Sequence, residues 1–123
     1  TALVYSRGSV PATSLGMLQK GMTSVTAASK TTYTAVAGDQ IVVDTVANPV
    51  TITLPASPAV GDEVTIMDGS ASNGFATNNC IIDRNSQPIE GAAANDTLAT
   101  NNQCVTLIYA NATKGWLYKS TNQ

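Results

Sequence analysis

Residues 51–68 read TITLPASPAVGDEVTIMD. Thr alternates with Ile and Leu over the first four positions, the period of two that belongs to a half-buried β-strand. Pro55 and Pro58 end that run by removing amide donors and stiffening the connection. Gly61-Asp62 then opens a second alternating run through Val64 and Ile66. With Val50 in front, Val50, Ile52 and Leu54 share one face and Thr51 and Thr53 the other, so one face is buried and the other is polar or stacked. Val105, Leu107 and Tyr109 repeat the arrangement.

Working outward, the pattern predicts strands at Tyr33 to Val36, Gln40 to Asp44, Val50 to Leu54, Glu63 to Met67, Cys80 to Arg84, Thr97 to Ala99, Gln103 to Tyr109 and Gly115 to Lys119, separated by Gly, Pro, Asn and Asp clusters. Short strands at regular spacing predict an all-β chain, an antiparallel β-sandwich or jelly-roll-like domain over residues 33–123. There is an internal echo. AGDQIVVD from Ala37 and VGDEVTIMD from Val60 share a Gly-Asp turn, a strand and a closing Asp, while TNNC at Thr77 and TNNQC at Thr100 both lead into apolar runs. Gly supplies a turn at positive φ, and Asp or Asn caps it locally.

Residues 1–32 differ. They mix Gly, Ser, Thr and Ala with isolated apolar residues, Leu3, Tyr5, Leu15, Leu18 and Met22, and keep neither a strand nor a helix period. Pro11 suits the start of a short helical turn that Gly16 and Gly21 interrupt. The bland reading is a partly ordered tail. The reading favoured by such frequent apolar residues is an extended arm that docks them on a neighbouring subunit.

At 123 residues the chain has single-domain size and can bury a core without disulfides or metals. Charged residues make up only 11% of it, against ~25% in typical soluble domains. Thr, Ser, Asn and Ala take their place, which suits flat β surfaces and faces covered by other subunits. A net charge of −2, with the six basic residues scattered, argues against a nucleic-acid partner. No apolar run approaches the ~20 residues that span a bilayer and no signal-peptide pattern is present, so no membrane partner is expected. A start at Thr1 fits removal of an initiator Met or processing of a longer chain.

No residues stand out for catalysis or for a cofactor. The chain has no histidine, and the adjacent acids Asp62 and Glu63 face opposite ways on a strand, which is unsuited to a glycosidase pair. Asp39, Asp44, Asp68 and Asp83 fall where turn-capping acids are expected. DGSASNG, residues 68–74, offers alternating oxygen ligands but has Asn79 where a calcium loop needs a bidentate Glu, so a plain loop is the simpler reading. Cys80 and Cys104 are able to form one disulfide, but each sits in an apolar strand-like run where the favoured reading is a packed, reduced thiol, and two thiols without His are too few for zinc. Asn95-Asp96-Thr97 and Asn111-Ala112-Thr113 fit a glycosylation acceptor pattern that arises by chance in so Asn- and Thr-rich a chain. Tyr109, Trp116 and Tyr118 either stack on a glycan or fill the core or a subunit interface, the second being favoured.

YTAVAGDQIVVDT through VTITLPASPAVGDEVTIMD, then FATNNCIIDRNSQPIEG and VTLIYANATKGWLYK, together resemble a small β-domain that recurs in bacteriophage virion proteins, both tail fibres and head-decorating proteins. The resemblance runs from Tyr33 to about Lys119. It is most specific at LPASP followed by Gly-Asp, at NN leading to IDRN, and at the terminal Gly-Trp. It implies a structural role, commonly as a homotrimer, with no catalytic residues to carry over, and aliphatic or small residues where Cys80 and Cys104 stand. Because so little surrounds the domain here, the expectation is a capsid decoration or cement protein or short head fibre. It would assemble in the host cytoplasm and bind the major capsid protein or another virion protein through the arm. A tail fibre or tail-associated adaptor is the alternative, and a module binding a host surface glycan is the third reading.

Overall fold

The structure, a computed structural model, describes residues 21–122. Nine strands form two sheets among these residues: β1 (Met22–Thr26), β2 (Thr32–Thr34), β3 (Gln40–Asp44), β4 (Val50–Thr53), β5 (Glu63–Asp68), β6 (Cys80–Asp83), β7 (Asp96–Leu98), β8 (Cys104–Asn111) and β9 (Gly115–Asn122). The first sheet has the order β1-β3-β5-β8-β9 and the second β2-β4-β6-β7. The described residues are all-β, as the periodicity predicts.

Pairing is mixed rather than antiparallel. β1, β3 and β5 run parallel, as do β2, β4 and β6, and only β7, β8 and β9 pair antiparallel with their neighbours. The connections explain why. After β3, β4 and β5 the chain does not fold back through a tight two-residue turn, as an antiparallel hairpin requires. Residues 45–49, 54–62 and 69–79 instead carry it across to the other sheet. Each strand therefore lands beside the strand two before it, and the chain winds three times, β1-β2, β3-β4 and β5-β6, before the antiparallel strands close one side. Pro55 and Pro58 lie in such a crossing, where a missing amide breaks no ladder.

The echo in the sequence is this winding. Residues 36–39 and 59–62 make the same turn: Asp39 Oδ2 accepts the Val36 N–H at 2.9 Å, and Asp62 Oδ2 accepts that of Ala59 at 2.8 Å. Gly38 and Gly61 take φ of 90° and 96° there, as the third residue of a type II turn does. Each docks on the next strand, Gly38 N–H on the Glu63 carbonyl at 2.7 Å and Gly61 N–H on that of Tyr109 at 2.9 Å. At the far ends Asp44, Asp68 and Asp83 each accept the amide two residues on, from Val46, Ser70 and Asn85, all at 2.9 Å.

Strict alternation places Val25, Ile41, Val43, Val64, Ile66, Val105 and Leu107 of the first sheet against Val50, Ile52, Cys80, Ile82 and Leu98 of the second, in one buried cluster. β1 corrects the expected boundary at residue 32. Val25 and Ala27 are core residues, so Met22–Thr26 belongs to the sheet and not to an arm. Leu3, Tyr5, Leu15 and Leu18 lie outside the described residues. β9 also runs past the expected Lys119.

Candidate functional site

Two places on the molecule combine accessibility with an unusual lining. The first is an end. Because β1, β3 and β5 are parallel, Met22 and the two Gly-Asp turns share the end at which those strands begin. Met22, Val36 and Val60, the three large apolar side chains exposed among the described residues, all lie there, at 57%, 53% and 75% exposure. Met22, expected in the arm, is thus an exposed residue on an edge strand at the point where residues 1–20 join. The opposite end is polar. Buried Thr45 donates its N–H to Ser70 Oγ at 2.8 Å and its hydroxyl to the Asn73 carbonyl at 3.2 Å. Asp68 Oδ2 gathers the amides of Phe75 and Asn102 at 3.1 and 3.0 Å. Burial raises the Asp68 pKa, but these amides, with the Ser70 amide and hydroxyl, outweigh it and hold the carboxyl below its ordinary value.

The second place is a cleft of about 300 Å³ where the β7 edge of the second sheet meets β8 and β9 of the first. Tyr118 spans this gap and donates its hydroxyl to Asp96 Oδ2. Its backbone N–H goes to Glu90 Oε2 at 2.9 Å. Burial, and then the Asp96 carboxylate, push the Tyr118 phenol far above its ordinary range. Asp96 Oδ1 accepts the Thr97 N–H at 2.8 Å. Leu98 and Val105 form an apolar floor, and Thr100 and Gln103 complete one wall.

No protein-family model and no curated protein matches this chain.

Of the three aromatics singled out in the sequence, the structure brings Tyr109 and Trp116 together and separates Tyr118 in role. Trp116 is wholly buried and meets Tyr109 edge-on, ring centroids 5.5 Å apart. Tyr109 hydrogen-bonds Gln87 Oε1 through its hydroxyl at 2.9 Å. Neither offers a face on which a ligand can stack, which favours the core reading of this pair. Tyr118 is half-buried and lines the cleft.

Asp96 and Gln103, which the sequence reading did not single out as site residues, supply the cleft's polar groups. Asp96 appears in the sequence only inside a glycosylation-like tripeptide and Gln103 inside TNNQC. Neither motif marks a cleft by itself, although the two residues lie seven positions apart at the ends of the connection between β7 and β8. Both acceptor-pattern asparagines have backbone work: Asn95 Oδ1 accepts the Arg84 amide at 3.0 Å, and Asn111 Oδ1 those of Thr113 and Lys114 at 3.0 and 2.7 Å.

All eight carboxylates of the chain bond within the fold. Asp39, Asp44, Asp62, Asp68, Asp83 and Asp96 each accept at least one backbone amide. Glu90 caps Tyr118, and Glu63 pairs with Lys119 at 2.9 Å. Both cysteines are free thiols, Cys80 buried and Cys104 half-buried. The aspartates thus cap backbone amides, and the two glutamates hold β9 in place.

Proposed function

We propose that this chain is a structural protein of a bacteriophage virion, a trimeric capsid decoration or cement protein or short head fibre. The two facing sheets form its sandwich-like body, and the segment before β1 anchors it to the major capsid protein. The observation that carries this reading is the apolar end. The exposed large apolar side chains gather where residues 1–20, with Leu3, Tyr5, Leu15 and Leu18, join the fold. The commitment of all eight carboxylates to structure supports a scaffold, as does the likeness of residues 33–119 to virion β-domains. Binding to the assembled shell, and not to free capsid protein, would stabilise it by mass action.

The test is the copy number of this chain in purified particles, measured by quantitative mass spectrometry against the major capsid protein, with full-length chain and chain lacking residues 1–20. The expected result is a number comparable with the capsid protein, lost on removal of residues 1–20. A handful of copies per particle would instead mark a tail fibre or adaptor, and complete absence would overturn the virion role.

A further inference from the structure

We propose that the outer face of the first sheet is the surface through which copies of this chain pack on one another. The inference gives the oligomer of the proposed function its contact face, and it rests on that reading only for the existence of an oligomer.

The strand register fixes which side chains share this face. In β3, β5 and β8 buried positions alternate with partly exposed ones. The pairing lines up Val42, Met67 and Cys104 in one row across the sheet, and Ile108 with Leu117 in another. These partly exposed side chains point away from the core, which Val43, Ile66, Val105 and Leu107 fill from the other side of the same strands.

The second sheet shows how this chain builds a face for water. The outward positions of β2, β4 and β7 are Thr32, Thr34, Thr51, Thr53 and Thr97. Threonine thus covers the outside of one sheet, and aliphatic and sulfur side chains the outside of the other. A solvated sheet face reads polar, whereas strands that are apolar on both sides belong to sheets covered on both faces. The polar groups at the centre of the apolar face are already satisfied, because Thr65 and Thr106 share a hydrogen bond between their hydroxyls at 2.9 Å. Such a pair loses little when water leaves.

The chemistry of the face selects a second copy as its occupant. A surface that meets its own copies must be complementary to itself, which one sign of charge prevents. Here Glu63 and Lys119 neutralise each other at one margin, and Asp44 at the opposite margin is held by the Val46 amide. Ser24 and Ser120, exposed at two edges, each donate and accept, so they can meet their own copies without an unmatched group. The size also fits. Five strands ~4.8 Å apart and four outward rows give a footprint on the order of 500 Å². With the relief of the side chains this reaches the ~600 Å² a side that the smallest specific interfaces bury. Around a three-fold axis the same face of each copy meets that of both neighbours.

The experiment is sedimentation velocity of the full chain over a dilution series, with the rate at which Cys104 reacts with a disulfide reagent read on the same samples. Cys80 is buried and does not contribute. The expected result is an oligomer in which Cys104 reacts at least ~10-fold more slowly than in the dissociated chain. Met67→Lys places an ammonium in the middle of the face, and should weaken association at least ~100-fold and open Cys104. Thr97→Lys, on the outer face of the second sheet, should change neither. Should Met67→Lys fail to fold, the concentration dependence of Cys104 reactivity in the native chain carries the test alone. An oligomer in which Cys104 reacts freely, or one that survives in folded Met67→Lys, would overturn the proposal and leave the oligomer standing. A chain that is monomeric throughout would overturn both. Protection of Cys104 that is independent of concentration and lost on removal of residues 1–20 would give the face to that segment and overturn the proposal.

Discussion

Gly115 has no room for a side chain. Its φ is 69°, and a Cβ there would lie 1.9 Å from the Pro88 carbonyl oxygen, the atom that accepts the Trp116 N–H at 2.8 Å. Left-handed backbone alone costs a non-glycine residue ~1–3 kcal/mol, and the overlap with backbone cannot be relieved by turning a side chain. Gly115→Ala is therefore expected to lower stability by more than ~2 kcal/mol in urea unfolding, through displacement of Trp116 from the core. Cys80 makes the matching case for a titrating group. Burial, and then the nearby Asp68 charge, push its thiol up to about 12. The native thiol keeps its proton where the unfolded chain has lost it. Its contribution is thus complete below the ordinary thiol pKa of 9.0 and is lost as pH rises from there toward 12. Native protein at pH 8 should leave Cys80 unreactive to a disulfide reagent. Cys80→Ala should remove a stability loss of up to ~1.4 kcal/mol per pH unit above pH 9, read from urea midpoints at pH 8, 9 and 10.

At the scale of the element, β1 decides where the chain can be cut. Removing residues 1–20 leaves every described strand intact, whereas removing 1–31 strips an edge strand and the core contacts of Val25 and Ala27. The longer deletion should lose at least ~2 kcal/mol, roughly the burial of one valine side chain with its strand, measured by chemical denaturation. The sequence hides β1 because MTSVT has a single buried apolar residue among hydroxyl-bearing ones, too little alternation to set a period. Where alternation is dense, as in QIVVD and EVTIMD, strand and inward face are legible, and the repeated Gly-Asp marks the repeated turn. Direction is not legible, because a period of two reads the same in a parallel and an antiparallel ladder. Asp68 is legible as a turn acid, but its grip on Asn102, thirty-four positions away, is not. The cleft is hidden because Tyr118, which closes it over residues 96–105, comes from β9 and reaches Asp96 from twenty-two positions away.

For the whole molecule, the winding of β1 to β6 between two sheets has a consequence for how the fold is reached. No two successive strands in that part pair with each other. Met22 waits for Gln40, Gln40 for Thr65, and Val50 for Cys80. The β8–β9 ladder is the most local pairing available, joined by a turn that Asn111 caps. Chains dominated by such distant contacts fold in milliseconds to seconds, and stopped-flow refolding is expected in that range; a microsecond phase carrying the full amplitude would contradict it. The order of assembly then runs against the order of synthesis. Of the described strands β8 and β9 are synthesised last, and as the most local pair they are expected to form first, with β5 and then the earlier turns added to them. On that order β1, which can pair only with β3, is the last described strand to be added, and the apolar end bearing Met22 is completed only after β8 and β9 have paired.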